Sequence, residues 1–200
     1  YFDRTTGLPV FSLYGQSSKP IPGMLKDIDS YMRSFDMDAS GSGKVPEDAM
    51  IRDVDTLIFD IQEVGTRVYT YVATMAYVLE AAAENGLEMI VLDRPNPLNG
   101  TALEGPVLDY PEQSSFVGLY PIPQRYGMTM GELARLFNQE FLKKKARLTV
   151  IAMDGWRREM WFDETGLPWV MPSPNMPTLE TALVYPGQVL IEGTNLSEAR

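Results

Sequence analysis

The chain has 200 residues, of which 44% are hydrophobic and 22% charged, and its formal net charge is −10. This composition is typical of a globular protein, and the negative charge argues against nucleic acid or an anionic membrane as a partner. Because the sequence contains neither cysteine nor histidine, it excludes disulfides, thiol catalysis, serine–histidine catalysis and metal sites built on either residue within this segment.

The first quarter of the chain predicts a strand, a helix and an acidic loop. Residues 8–14 are typical of a short strand, and residues 23–35 have apolar side chains at helical spacing. The loop from Asp36 to Glu47 has the oxygen spacing of a twelve-residue EF-hand loop. Gly43 stands where an apolar residue normally pairs two hands, so a solvated surface loop is the simpler interpretation and a structural Ca²⁺ site remains an alternative.

The next segment predicts a βαβ unit. Residues 56–61 form a continuous apolar run that ends at an acid, which is typical of a buried parallel strand. Residues 67–84 carry apolar side chains every three to four positions and predict a helix, which Asn85-Gly86 would end. Residues 87–93 predict a second buried strand, again followed by polar residues.

The remaining elements are predicted in the same way. Residues 94–127 form a Pro- and Gly-rich loop, and loops of that length in compact domains are usually functional. Residues 129–132 fit a capping box that starts a helix, and residues 148–153 predict a third strand. A turn or short helix is expected near Thr178, before a last apolar run at residues 189–191.

This alternation predicts an α/β fold with a doubly wound, largely parallel sheet and helices on both of its faces. Ligands of such sheets bind beyond the carboxyl ends of the strands. Polar residues gather at those positions, after residue 59, after residue 92 and at residues 171–175. We therefore expect a site at this edge of the sheet.

Nucleotide binding is the alternative that this fold class invites. It requires a Gly-x-Gly-x-x-Gly turn between a strand and a helix. The turn after the first strand of the βαβ unit offers only Gly65, and the turn after Asp93 offers no glycine. Gly41-Ser42-Gly43-Lys44 also lacks the spacing of a phosphate-binding loop. The sequence therefore predicts no nucleotide and no other cofactor.

Carboxylates and aromatic rings are the side chains that could carry chemistry. Two carboxylates that flank a glycosidic bond, beside an aromatic surface, are typical of glycoside hydrolases. The candidate carboxylates are Asp60, Glu63, Asp93, Glu104, Glu192 and Glu198. The candidate rings are Tyr69, Tyr71, Tyr126, Trp156, Trp161 and Trp169. A structural role is the competing interpretation for each one, since Glu63, for example, could simply favour a helix N-terminus.

Six stretches of this chain resemble one bacterial family. The segment from Asp60 to Tyr71, Asp-Ile-Gln-Glu-Val-Gly-Thr-Arg-Val-Tyr-Thr-Tyr, is similar to the Asp-Ile-Gln-Asp-Val-Gly-x-Arg-x-Tyr-Thr-Tyr signature of the exo-β-N-acetylmuramidases. The other five stretches are residues 92–97, 103–106, 125–129, 172–177 and 192–195. They follow in consistent order over nearly the whole chain.

The resemblance implies a Rossmann-like domain over residues 1–175 and the start of a smaller C-terminal domain at residues 176–200. It implies an exo-acting glycoside hydrolase that releases terminal N-acetylmuramic acid from peptidoglycan fragments, in an exported protein of cell-wall turnover. The family carries an upstream Glu-His-Gly segment that would hold the general acid. We therefore expect this chain to be an internal fragment, inactive alone, with an insertion near residues 30–53.

The resemblance also implies roles for single residues. Asp60 and Glu63, the latter standing where the family commonly has Asp, would be catalytic. Arg67 or Arg125 would bind the lactyl carboxylate, because a guanidinium matches a carboxylate with two hydrogen bonds. Further substrate-binding residues would be Gln62, Tyr69, Tyr71, Asp93, Arg94, Asn96, Glu104, Tyr126, Ser173, Asn175, Glu192 and Asn195. No metal ligand is expected, and a non-catalytic muropeptide-binding module is the alternative function.

Overall fold

The computed structural model describes Thr5 and residues 54–194, and the elements below belong to a compact unit that begins at Thr56. The predicted strand at residues 8–14, the helix at 23–35 and the EF-hand-like loop at 36–47 lie outside the described residues. The domain boundary at residue 175 stays a prediction. Among residues 54–194, no helix has both the length and the apolar composition that crossing a bilayer requires.

Eight regular elements follow one another along the described chain. They are β1 (Thr56–Phe59), α1 (Tyr71–Asn85), β2 (Glu88–Leu92), β3 (Glu104–Val107), β4 (Pro123–Arg125), α2 (Met130–Leu136), β5 (Arg147–Ile151) and α3 (Leu179–Gln188). A π-helical turn, Phe137–Phe141, extends α2, and two 3-10 turns cover Phe162–Thr165 and Val189–Gly193.

The centre of the fold is a three-stranded parallel sheet in the order β1-β2-β5. The register aligns Leu57 with Met89 and Met89 with Leu148, so that apolar side chains form continuous rows on one face. Helices α1 and α2 pack on that face, where Met75, Leu79 and other core residues are fully buried. Burial of each such side chain contributes roughly 1.5–3 kcal/mol to the stability of the fold. The predicted α/β fold with a parallel sheet is confirmed, whereas helices on the second face of the sheet stay a prediction.

The helix α1 begins four residues later than its apolar periodicity predicts, at Tyr71 instead of residue 67. Tertiary hydrogen bonds explain the delay, because the backbone N–H of Arg67 donates to the carbonyl of Gln124 at 2.8 Å and Thr66 pairs with Arg125. The predicted stop is confirmed. Gly86 takes a left-handed conformation with φ 70°, and its N–H donates to the carbonyl of Ala82.

The prediction of one long loop over residues 94–127 was wrong in part. Strands β3 and β4 lie within it and pair antiparallel, with Glu104 opposite Arg125. Their Pro- and Gly-rich composition lacks the alternation that indicates a strand. The capping box of α2 is confirmed, since the Thr129 hydroxyl accepts from the Glu132 N–H and the Glu132 carboxylate accepts from the Thr129 N–H at 3.0 Å.

Two helical glycines give a test of this packing. In α2, a Cβ added at Gly131 would lie 2.5 Å from Cγ1 of Val150 and 2.9 Å from Cγ of Asp93. We predict that Gly131→Ala lowers the free energy of unfolding by about 1–3 kcal/mol, because α2 must move off the sheet. Urea denaturation measures the change.

The matched control is Gly187→Ala in α3, where an added Cβ meets nothing within 4 Å. Alanine should leave the stability unchanged or raise it by up to about 1 kcal/mol, since it favours helix. Equal losses for the two variants would contradict the packing described for α2.

Candidate active site

The site is built where two neighbouring parallel strands end. Asp60 follows β1 directly and Asp93 follows β2. The two loops are tied together, because Nε of Arg94 donates to Oδ1 of Asp60 at 2.7 Å and the Gln62 side-chain amide donates to the carbonyl of Pro95 at 2.9 Å. The predicted site residues that follow these strands are therefore spatial neighbours.

Asp93 fixes the end of β2 to the start of α2. Its Oδ1 accepts from the N–H of Gly131 at 2.7 Å and from that of Arg94 at 3.0 Å. Its Oδ2 accepts from the Thr129 hydroxyl at 2.9 Å. A carboxylate at a helix N-terminus is stabilised by the unpaired N–H groups and the helix dipole. Both oxygens of Asp93 are thus engaged in holding the fold.

Glu63 is the most unusual titratable group of the site. Its side chain is only 3% exposed. Oε2 accepts from the N–H of Gly65 and from the hydroxyl of Tyr126, both at 2.6 Å, whereas Oε1 is buried without a hydrogen bond from the described residues. Burial raises the pKa of Glu63 to about 8, and the Tyr126 bond opposes this rise. The carboxyl is therefore mostly protonated at neutral pH.

The turn that contains Glu63 packs tightly on the loop after β2. Gly65 has φ 82°, and a Cβ there would lie 2.6 Å from Oδ1 of Asn96. Asn96 is itself buried, with Oδ1 accepting from the Leu98 N–H and Nδ2 donating to the carbonyl of Met128, both at 2.9 Å. Asn96 therefore shapes the loop, and its polar atoms are used within the protein.

Arg67 and Arg125 are both held by the chain itself. Nη1 of Arg67 donates to the carbonyls of Pro106 at 2.9 Å and Ile122 at 2.6 Å, and burial lowers the pKa of Arg67. Arg125 forms an ion pair with Glu104 at 2.6 Å, donates to the carbonyl of Leu98 and lies over the ring of Trp161. These contacts join the β3–β4 pair to the loops beside it.

The tyrosines of the signature segment lie against the segment after residue 171. The rings of Tyr69 and Tyr71 meet edge to face at 5.0 Å, and the hydroxyl of Tyr71 donates to the carbonyl of Pro172 at 2.6 Å. Burial raises the pKa of Tyr69, and the neighbouring Ser173 hydroxyl opposes that rise. Asn175 lies in the same segment and is exposed. The Glu192 side chain and Asn195 lie outside the described part of the chain.

A cavity of about 390 Å³ opens beyond the ends of β2 and β5. It is lined by residues 93–95, residues 153–156, Met160, Thr165 and Leu167. Its size suits a small organic ligand. Trp156 was predicted as an aromatic surface, but no sequence pattern indicated that residues 153–156, Met160, Thr165 and Leu167 would line one pocket with Arg94.

Sequence reasoning also missed Asn99, which organises the loop before β3. Asn99 is buried with φ 62°. Its Oδ1 accepts from the N–H of Thr101 at 3.1 Å and of Ala102 at 3.3 Å, and from Nη2 of Arg125 at 3.3 Å. The dipeptide Asn99-Gly100 is a turn signal that could have identified it.

Within residues 54–194, no group of three or more acidic side chains is arranged to hold a metal ion. The described residues of this site combine instead the exposed Asp60–Arg94 ion pair, the buried protonated carboxyl of Glu63 and a pocket with apolar, aromatic and charged walls. Such a combination is suited to binding and orienting a polar organic molecule with an apolar face.

Comparison with known proteins identifies relatives of this chain. Residues 37–180 match the family described as "Exo-beta-N-acetylmuramidase NamZ, N-terminal". The chain is 54% identical over 200 residues to the peptidoglycan beta-N-acetylmuramidase NamZ of Bacillus subtilis (strain 168), covering 100% of this chain and 42% of that protein.

Solved structures also match this chain. Two crystal structures of DUF1343 family proteins from Bacteroides fragilis NCTC 9343 match with TM-scores of 0.75 and 0.71, at 40% and 37% sequence identity. The match covers 95% and 81% of this chain, and 43% and 46% of those chains. The chain thus spans less than half the length of each of these relatives.

The protonation of Glu63 makes a prediction about stability. Folding raises its pKa from 4.5 to about 8, so the folded state binds more protons between these values and stability falls as pH rises through that window. We predict a fall of up to about 1.4 kcal/mol per pH unit between pH 6 and 8. Since the chain has no histidine or cysteine, little else in it titrates there.

The measurement is urea denaturation of this chain at several pH values. Glu63→Gln, which keeps a neutral side chain of similar shape, should abolish the fall between pH 6 and 8. Glu112→Gln, at an exposed position, should retain it. A wild-type stability that is flat or rises across this window would contradict the buried protonated carboxyl.

Proposed function

Because the chain belongs to the exo-beta-N-acetylmuramidase NamZ N-terminal family, we propose that the protein carrying it is a glycoside hydrolase that releases terminal N-acetylmuramic acid from peptidoglycan fragments. The observation that carries the proposal is the 54% identity to the Bacillus subtilis enzyme over all 200 residues. The match spans the whole chain, so it covers the signature segment and the loop after β2, which form the edge described above.

The structure supports different roles for Asp60 and Glu63, the two carboxyls that the sequence predicts to be catalytic. Asp60 is exposed at the carboxyl edge of the sheet and paired with Arg94, so it is accessible to a sugar. Glu63 is buried and bonded to Gly65 and Tyr126. We assign Asp60 to contact with the sugar and the attacking water, and Glu63 to positioning of the turn between Asp60 and Arg67.

The resemblance implies that the general acid is a Glu of an upstream segment. In a glycoside hydrolase one carboxylic acid protonates the leaving oxygen, while a second carboxylate acts on the opposite side of the sugar ring. Among the described residues, Asp60 is the carboxylate that best suits the second role, because it lies at the open edge and is not used to hold the start of a helix. Asp93, by contrast, has both oxygens engaged.

We also propose that the complete protein is exported and serves cell-wall turnover. Peptidoglycan lies outside the cytoplasmic membrane, so an enzyme that acts on the wall itself must reach that compartment. The expected result of cell fractionation is that most of the native protein lies outside the cytoplasm. Recovery of nearly all of it with cytoplasmic markers would contradict export and favour action on imported fragments.

The hydrolase proposal predicts an activity for the full-length protein. It should release N-acetylmuramic acid from an N-acetylmuramic acid–N-acetylglucosamine disaccharide, detected by chromatography. Asp60→Asn should lower kcat by roughly 100-fold or more, since a positioned acid–base group contributes on that scale. Glu63→Gln should retain most of kcat, because its neutral amide resembles the protonated carboxyl.

The control is Asp109→Asn, an exposed residue of the loop between β3 and β4. It should leave turnover unchanged. Tight binding of the disaccharide without release of N-acetylmuramic acid would contradict the hydrolase proposal and favour a muropeptide-binding module. Full activity of Asp60→Asn would remove Asp60 from the mechanism while leaving the function in place.

A further inference from the structure

The residues that line the pocket beyond β2 and β5 include one basic residue, Arg94. The groups around Arg94 determine which ligand the pocket can bind. Arg94 lines the cavity of about 390 Å³, together with Asp93 and Asp154. Trp156, Met153 and Met160 form apolar parts of the wall. A pocket with an aromatic ring and a few polar groups suits a pyranose, which has one apolar face and polar hydroxyls.

Arg94 differs from the two arginines that the sequence nominates as carboxylate receptors. Arg67 is used by two backbone carbonyls, and the Arg125 side chain is 11% exposed and held by Glu104, Leu98 and Trp161. The Arg94 side chain is 41% exposed. Releasing either of the first two for a ligand would break the junction between the β3–β4 pair and the loops beside it.

The ion pair of Arg94 leaves part of its guanidinium available. Nε and Nη2 both approach one oxygen of Asp60, Oδ1. Within the described residues, nothing accepts a hydrogen bond from Nη1 of Arg94. An ion pair this exposed contributes only about 0–1 kcal/mol, so a second carboxylate can share or replace Asp60 at little cost.

We propose that this pocket is the subsite for the carboxylate-bearing sugar, and that Arg94 is the residue that binds the lactyl carboxylate of N-acetylmuramic acid and so favours this sugar over N-acetylglucosamine. The inference rests on the proposed hydrolase function and names its specificity-determining residue. Asp93 and Asp154 lie on the same wall and disfavour an anion, so Arg94 is the lining residue that attracts one. Without Arg94, these two acids would repel an anionic sugar.

The test compares a charged and a neutral substrate in the full-length protein. The charged substrate is the N-acetylmuramic acid–N-acetylglucosamine disaccharide, and the neutral one is the same disaccharide with its lactyl group converted to the methyl amide. Arg94→Gln should lower kcat/KM for the charged substrate by about 10- to 100-fold, as expected for hydrogen bonds to a charged group. The loss should lie mainly in KM, and the neutral substrate should change by less than about 2-fold.

The matched control is Arg157→Gln, since Arg157 is also ion-paired at the surface and its side chain is 65% exposed. This substitution should leave kcat/KM unchanged for both substrates. Melting temperatures of both variants show that they fold. Equal losses of Arg94→Gln on the two substrates would overturn the inference, because Arg94 would then act through Asp60. No loss on either substrate would also overturn it.

A binding experiment distinguishes failure of this inference from failure of the proposed function. Calorimetry measures the affinity of the full-length protein for free N-acetylmuramic acid and for its lactyl methyl amide. If the wild-type protein hydrolyses neither disaccharide but prefers the acid, and Arg94→Gln removes that preference, the hydrolase proposal fails and the carboxylate subsite stands. If the wild type hydrolyses both disaccharides equally well and binds both sugars equally, the function stands and the inference fails.

Discussion

The carboxyl of Glu63 joins three parts of the chain at a point that water does not reach. Its Oε2 accepts from the N–H of Gly65 in its own turn and from the hydroxyl of Tyr126 just after β4. The turn in question packs on Asn96, in the loop that follows β2. A buried carboxylate would be costly in this apolar setting, so the group is held protonated. That neutral carboxyl determines how the segment from Asp60 to Arg67 leaves the sheet.

The second constraint is the parallel sheet itself. Parallel strands bring their carboxyl ends to one edge, so Asp60, Asp93 and the 153–156 segment meet there although they are far apart in sequence. Most polar side chains at this edge are used within the protein. Asp93 binds the start of α2, Asn96 and Asn99 shape the loop after β2, and Arg125 joins the β3–β4 pair to that loop. Asp60 and Arg94 remain exposed beside the pocket, and the proposed chemistry depends on them.

The sequence predicted the elements whose signals are local. The βαβ unit, the stop at Gly86 and the capping box at Thr129 each depend on residues within a few positions of one another. The β3–β4 pair and the late start of α1 were not predictable in this way. Both depend on pairing across some 20 to 60 residues, such as that between Thr66 and Arg125.

The same distinction holds for the site. The resemblance and the strand ends identified Asp60, Glu63 and Arg94, but the environments that separate their roles are tertiary. A sequence does not show that Glu63 lies under Tyr126, or that Arg67 is bound by carbonyls 39 and 55 residues away. For that reason Arg67 and Arg125 were natural candidates for the lactyl carboxylate, and only their hydrogen bonds indicate that Arg94 is better placed.

A crystal structure of the complete protein with N-acetylmuramic acid bound would show directly whether Arg94 and Asp60 contact the sugar. We expect the sugar to occupy the cavity beyond β2 and β5, with its lactyl carboxylate about 3 Å from the guanidinium of Arg94 and Asp60 facing the anomeric carbon. Glu63 would remain buried against Tyr126. A sugar bound away from this edge, with Arg94 still paired only to Asp60, would contradict the account.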